Sequence, residues 1–92
     1  MPNERILIVD DEKLIRWSVR RQLEEWGYVV LEAESGTGGL AQIRAESPDL
    51  ILLDVRLPDL SGIEVLREIK SNRSGHRSAA LIIRSSPSHM KP

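Results

Sequence analysis

Three runs of aliphatic residues in this 92-residue chain lack the alternation of polar and apolar side chains that is typical of a half-exposed strand. They cover residues 6–9, 50–53 and 79–83. Strands that are apolar on both faces occur in parallel sheets with helices on either side. A fourth β-rich run covers residues 28–31, and segments with helical spacing separate the four runs. The sequence therefore predicts right-handed βαβ units and an α/β fold with about four parallel strands and three helices.

Three helices are predicted, and the first and third have a recognisable end or start. The first covers residues 13–26, and Gly27 supplies the left-handed residue that ends it. The second covers residues 37–45, and two glycines weaken its first turn. The third begins at a capping box formed by Ser61 and Glu64. The predicted inward-facing residues of the three helices are Ile15, Val19, Leu23 and Trp26, then Leu40 and Ile43, then Ile63, Leu66 and Ile69.

The composition is that of one small domain over residues 1–92, of which 84–92 are expected to form an irregular tail. The aromatic residues are Trp17, Trp26 and Tyr28, so the core is aliphatic, and we interpret the two tryptophans as packing residues. A net charge of −1 favours neither direct nucleic-acid binding nor membrane binding, and no apolar run approaches the roughly 18 residues of a membrane span. The absence of cysteine fits a reducing compartment, so we expect a cytoplasmic protein.

Acidic residues directly follow two of the predicted strands, Asp10 and Asp11 after the first and Asp54 after the third. Ligands of an open α/β sheet bind beyond the carboxyl ends of its strands, so three carboxylates are expected at one edge. Like charges at that range repel unless a cation neutralises them, and oxygen ligands favour a hard ion such as Mg²⁺. A carboxylate beside such an ion can attack phosphorus and form an aspartyl phosphate. Taken singly, each acid also has a simpler explanation as a helix cap or a loop-entry residue.

The acidic pair together with the spacing Asp54-x-x-x-Pro58-x-x-x-Gly62 resembles the receiver domain of two-component response regulators. The segments ILIVDDE, LILLDVRLPDLSG and GIEVLREIK match that family's first strand, phosphoacceptor strand and third helix, and the similarity covers about residues 4–86. The segment DDEKLIRWSVRRQLEEWGY further resembles receivers of the nitrogen-regulator type. The resemblance implies a flavodoxin-like fold and a phosphoacceptor module of two-component phosphorelay signalling.

By this resemblance, Asp54 is the phosphoacceptor and Asp11 binds Mg²⁺ directly. Asp10 holds the metal largely through water, and Asp54 and the backbone carbonyl of Arg56 complete the protein's ligands. The implied reaction is Mg²⁺-dependent phosphoryl transfer to Asp54 from a histidine kinase or another phosphodonor. We expect the chain to act as the acceptor in this reaction and not as an enzyme.

The family's switch hydroxyl follows the fourth strand. Aligning AALIIRSS places Ser85 at this position, whereas a shift of one residue would place Arg84 there. A complete receiver continues with a fourth helix, a fifth strand and a fifth helix, roughly 30 more residues at average lengths. This chain ends nine residues after Ile83, so we expect an incomplete fold without those elements. The terminal Lys91-Pro92 matches a dipeptide of the family, but no strand-like run precedes it, and we interpret the match as coincidence.

Two consequences are expected from the short end. The fourth strand would be an open edge through which the chain can associate with itself. Aliphatic side chains of residues 6–9 and 50–53 would be exposed on the face that the first helix covers. The alternative function is therefore a truncated, non-switching remnant that acts only as an interaction module or decoy. A phosphatase of the Asp-x-Asp kind is disfavoured, because Asp54-Val55-Arg56 lacks the second acid.

Overall fold

A computed structural model describes residues 4–54, residues 59, 64, 65 and 67, and the strand at 79–83. Strands and helices follow one another as the sequence predicts, with boundaries that differ by one or two residues. Their bounds are Arg5–Val9 (β1), Lys13–Glu25 (α1), Val29–Ala33 (β2), Gly36–Glu46 (α2), Leu50–Asp54 (β3) and Ala79–Ile83 (β4). In this part of the chain, no helix has both the length and the apolar character needed to cross a membrane.

The four strands form one parallel sheet in the order β2-β1-β3-β4. β1 lies between β2 and β3, so Leu7 has Leu31 as its register partner on one side and Ile51 on the other. This order is the flavodoxin-like arrangement that the sequence predicted. β4 pairs with β3 and forms one edge of the sheet among the strands that the structure describes. The order also places the carboxyl ends of β1 and β3 next to each other.

The main core lies between the sheet and α2. The buried side chains that form it are Leu7, Val9, Ala33, Ile43, Ile51, Leu53 and Val65, with Leu31 and Leu40 packed against them. Val65 is helical, as are Glu64 and Arg67, which agrees with the third predicted helix. Val65 was not among the predicted inward residues of that helix. Ser61 and the predicted Ile63, Leu66 and Ile69 lie outside the described residues.

The opposite face of the sheet is covered by α1 more completely than expected. Ile6 and Ile8 are buried, so the predicted exposure of β1 on this face is wrong. Leu50 and Leu52 of β3 are half-buried, which agrees with partial coverage. α1 contacts both β1 and β2 and lies over that half of the sheet, which agrees with the burial of Ile6 and Ile8.

Both tryptophans of the first helical segment are exposed, so their interpretation as packing residues is wrong. Trp17 is 53% exposed and Trp26 is 61% exposed. The guanidinium of Arg21 lies 5.0 Å from the ring centre of Trp17, one helical turn away, where it makes a cation–π contact. Trp26 follows the last residue of α1 and lines an open groove of about 430 Å³ with Leu23 and Tyr28. Gly27 has a φ of 97°, so the predicted left-handed residue at the helix end is confirmed.

The first turn of α2 is stabilised by a cap that was not predicted from the sequence. The Ser35 hydroxyl accepts a hydrogen bond from the backbone N–H of Gly38 at 3.0 Å. Gly39 is buried against β1, and a Cβ atom at this position would lie 3.0 Å from a γ-methyl carbon of Val9. Gly39 thus allows α2 to approach β1 closely.

Replacing Ser35 with alanine should lower the free energy of unfolding by about 1 kcal/mol, because the N–H of Gly38 loses its acceptor. Urea denaturation of the two proteins measures this difference. Ser18→Ala, at an exposed position inside α1, is the matched control and should change stability by less than about 0.5 kcal/mol. Equal effects at the two positions would contradict the capping role of Ser35.

Candidate functional site

Asp10, Asp11 and Asp54 lie together at the carboxyl edge of the sheet, as the sequence predicted. Val9 and Leu53 are register partners, so the residues that follow them on β1 and β3 are neighbours. One carboxylate oxygen from each of the three acids lies within 4.8 Å of the other two. The register of two buried strands therefore builds this acidic cluster, which we define as Asp10, Asp11 and Asp54.

Two of the three carboxylates are largely removed from water. Asp10 is 7% exposed and Asp54 is 2% exposed, whereas Asp11 is exposed. Burial raises the pKa of Asp10 above its ordinary value of 3.8, and the negative charges of Asp54 and Asp11 raise it further. A hydrogen bond from the backbone N–H of Glu12 acts in the opposite direction and lowers the pKa. The ionised cluster is thus a concentration of like charge at a poorly hydrated place.

Asp10 is held by groups from three parts of the chain. Its backbone N–H donates to the carbonyl of Ala33 on β2 at 3.1 Å. Its own carbonyl accepts from Nη1 of Arg16 on α1 at 2.7 Å, and its Oδ1 accepts from the N–H of Glu12 at 2.9 Å. Hydrogen bonds within the chain therefore fix the backbone N–H, the backbone carbonyl and one carboxylate oxygen of Asp10.

Arg16 belongs to an ion-pair network between α1 and β2. Its Nε donates to Glu32 at 2.9 Å, and Arg20 donates to the second oxygen of Glu32 at 2.5 Å. Arg20 also pairs with Glu24 at 3.0 Å, one helical turn further along. Burial alone would raise the pKa of Glu32, but the hydrogen bonds from the two arginines lower it below its ordinary value of 4.5. Glu32 is therefore a fixed anion that orients Arg16.

A fourth acid, Asp59, was not singled out in the sequence, although it follows Pro58 in the matched motif. Its carboxylate accepts hydrogen bonds from the N–H of Gly36 at 2.8 Å, the N–H of Thr37 at 3.0 Å and the Thr37 hydroxyl. Asp59 thus caps α2 from a distant part of the chain, where the positive end of the helix dipole favours an anion. The sequence contains no local signal for such a cap, because the partners lie more than twenty positions apart.

The acidic cluster has the donor set of a divalent-cation site. Its ligand atoms are all carboxylate oxygens, which suit hard cations such as Mg²⁺. Burial and the neighbouring carboxylates raise the pKa of Asp10, so a bound cation would favour its ionised form. Arg56, Pro58, Gly62 and Ser85 lie outside the described residues, so the roles predicted for Arg56 and Ser85 stay predictions.

Residues 6–90 match the family model of the response regulator receiver domain. The chain belongs to this family. Among similar proteins, the alkaline phosphatase synthesis transcriptional regulatory protein PhoP of Bacillus subtilis is 44% identical over 71 residues, which are 77% of this receiver and 30% of PhoP. Sporulation initiation phosphotransferase F of the same organism is 41% identical over 70 residues, 76% of this receiver and 56% of that protein. The receiver therefore spans about a third to half of the length of these relatives.

Solved structures of receivers have the same fold. A CheY-like receiver domain protein from Methanospirillum hungatei JF-1 superposes with a TM-score of 0.83 at 36% identity, over 96% of this receiver and 69% of that chain. The response regulator TrrA from Thermotoga maritima, in a complex with Mg(2+)-BeF, superposes with a TM-score of 0.77 at 35% identity, over 94% of this receiver and 73% of that chain. The family and its fold agree with the sequence-based prediction, whereas the finer resemblance to the nitrogen-regulator type stays a prediction.

Without divalent cations, the free energy of unfolding should decrease as the pH rises from 3.8 into the range of the raised pKa of Asp10. In that interval the folded state binds more protons than the unfolded state, so deprotonation favours unfolding. Asp10→Asn keeps an oxygen that can accept from Glu12 but removes the charge, and its stability should fall less steeply with pH. Urea denaturation across a pH series with a chelator measures both slopes. If stability fell equally steeply with pH in both proteins, the raised pKa of Asp10 in the folded state would be contradicted.

Asp59 should have the opposite pH dependence. Hydrogen bonds from the Thr37 hydroxyl and from the N–H groups of Thr37 and Gly36 lower its pKa below 3.8. Its contribution to stability is therefore fully present above pH 3.8 and is lost as the pH falls towards the lowered value. Asp59→Asn should unfold at a lower temperature than the unmodified receiver at pH 7. The difference between the two unfolding temperatures should become smaller below pH 4. Glu34→Gln, at an exposed acid beside the same helix start, should show neither effect.

Proposed function

We propose that the receiver accepts a phosphoryl group on Asp54 in an Mg²⁺-dependent reaction with a histidine kinase or another phosphodonor. The observation that carries this proposal is the acidic cluster, in which carboxylates from two adjacent strand ends lie within 4.8 Å of one another. Membership of the receiver family supports it, as does the similarity to a protein named a phosphotransferase. The proposed reaction takes place in the cytoplasm, a reducing compartment that suits a cysteine-free chain.

In the proposed reaction, a carboxylate oxygen of Asp54 attacks the phosphorus of a phosphohistidine while the N–P bond breaks. The imidazole nitrogen leaves with the electron pair of that bond and takes up a proton. Attack of water on the phosphorus of the aspartyl phosphate later releases inorganic phosphate and restores the carboxylate. Asp54 therefore changes between a carboxylate and an acyl phosphate, and the chain serves as an acceptor.

Asp10, Asp11 and Asp54 would hold the Mg²⁺ ion, together with the backbone carbonyl of Arg56. When bound, Mg²⁺ supplies positive charge that neutralises the cluster and the phosphoryl oxygens. The chain's own contribution is position: the N–H of Glu12 and the guanidinium of Arg16 fix Asp10, and the register of β1 and β3 fixes Asp54 beside it. Ser85 is proposed as the switch hydroxyl that responds to the phosphoryl group.

The proposal is tested by incubating the receiver with acetyl phosphate and Mg²⁺ and measuring its intact mass. We expect an adduct of one phosphoryl group that is lost in Asp54→Asn and in the presence of a chelator. Asp49→Asn is the matched control, because it makes the same change at the opposite end of β3. Its adduct should form as in the unmodified receiver.

A folded receiver that binds Mg²⁺ but forms no adduct would contradict the phosphoacceptor role and favour the alternative, a non-switching interaction module. Multiple turnover of a phosphomonoester would instead indicate a phosphatase. Self-association through β4 belongs to the same proposal, because β4 is an edge strand of the described sheet. A monomer at all concentrations in sedimentation equilibrium would contradict it.

A further inference from the structure

We infer that Arg16 is a positioning residue of the metal site, which acts through the backbone carbonyl of Asp10 and not through its charge. This inference rests on the proposed function, because it concerns the Mg²⁺ affinity of the acidic cluster. Arg16 lies on α1, six residues after Asp10, and its side chain is only 12% exposed. A guanidinium held at this depth has little freedom to move.

The geometry of the Arg16 side chain indicates a bridge between two elements. Its Nη1 donates to the Asp10 carbonyl at 2.7 Å, while its Nε donates to Glu32 of β2 at 2.9 Å. The planar guanidinium fixes the angle between these two donors, so Glu32 determines where the Asp10 carbonyl is held. Because Asp10 and Asp11 are consecutive, a shift of this carbonyl changes the direction in which both carboxylates leave the backbone.

The charge of Arg16 argues against a simple electrostatic role. A cation close to a cation site should weaken Mg²⁺ binding, so removal of Arg16 would strengthen binding if charge alone mattered. Loss of a positioning bond should have the opposite effect, because partners that orient metal ligands typically contribute roughly ten- to one hundred-fold in metal affinity. The sign of the change in Kd therefore separates the two roles.

Arg20 provides a matched control on the same helix. It pairs with Glu32 at 2.5 Å and with Glu24 at 3.0 Å, so it shares the acid that orients Arg16. Its described hydrogen bonds go to these two acids, and none of them goes to Asp10. Substitution of Arg20 thus removes the same charge from the same network without removing the bond to the Asp10 carbonyl.

The experiment measures the Kd for Mg²⁺ by titration calorimetry on the full 92-residue chain, at a temperature where circular dichroism shows each variant to be folded. Arg16→Met should raise the Kd roughly ten- to one hundred-fold. Arg16→Lys keeps the charge but loses the two-donor fork, and it should also raise the Kd. Arg20→Met and Arg20→Lys should leave the Kd within about twofold or lower it. If Arg16→Met does not fold, Arg16→Lys decides the question.

The Kd for Ca²⁺ provides a second measurement. A purely electrostatic role of Arg16 would change the affinities for Ca²⁺ and Mg²⁺ to a similar extent. Mg²⁺ requires near-octahedral geometry, whereas Ca²⁺ tolerates flexible coordination. Loss of positioning should therefore weaken Mg²⁺ binding more than Ca²⁺ binding in the Arg16 variants, whereas a change of charge should shift both affinities together.

Unchanged or tighter Mg²⁺ binding in both Arg16 variants would overturn the inference, as would an equal loss in the Arg20 variants. If the unmodified receiver bound no Mg²⁺, the proposed function would fail and the inference with it. Binding of Mg²⁺ by the unmodified receiver and by all variants with one Kd would overturn only the role of Arg16.

Discussion

The in-register pairing of β1 with β3 is the contact on which the rest of the structure depends. Leu7 and Ile51 face each other in this pairing, and Val9 faces Leu53; all four side chains have no exposed surface. A slip of one residue would turn each of these side chains to the other face of the sheet, so the core fixes the register. Asp10 and Asp54 follow directly, and their proximity is a consequence of how the aliphatic residues pack. Burial of each large aliphatic side chain contributes about 1.5–3 kcal/mol, which offsets repulsion between the acids.

The start of α2 is a second place where packing and charge act together. Gly39 allows the helix to lie against Val9, on the strand that leads to the acidic cluster. The positive end of the helix is then occupied twice, by the Ser35 hydroxyl from within the chain segment and by the Asp59 carboxylate from beyond β3. Asp59 lies five positions after Asp54, so this cap links α2 to a residue that follows the proposed phosphoacceptor closely in the sequence. The Asp59 carboxylate accepts hydrogen bonds from neutral donors, which lower its pKa, whereas the pKa of Asp10 is raised. The two acids therefore make contributions of opposite sign to the change of stability with pH.

The features that could be predicted from the sequence are those that arise from local patterns. Unbroken aliphatic runs indicate parallel strands, and acids placed directly after them mark the edge where a site forms, as Asp10 and Asp54 show. Contacts between distant segments leave no such pattern: nothing near Asp59 indicates that it caps α2, and nothing near Arg16 indicates that its guanidinium reaches a strand-end carbonyl. Helical spacing also misplaced Trp26, because the residue follows the helix end and its side chain reaches the rim of a groove.

The two charged groupings at this side of the sheet differ in how their charge is compensated. Glu32 accepts hydrogen bonds from two arginines, Arg16 and Arg20. The guanidinium of Arg16 also donates to the neutral carbonyl of Asp10. Arg16 therefore brings geometry to Asp10 while much of its positive charge is already balanced on β2. A pairing with a carboxylate of the acidic cluster would instead favour the ionised form of that acid, as the hydrogen bonds from the two arginines favour ionised Glu32. Arg16 thus holds the backbone of Asp10 in place, while burial and the charges of Asp54 and Asp11 keep the pKa of Asp10 above its ordinary value.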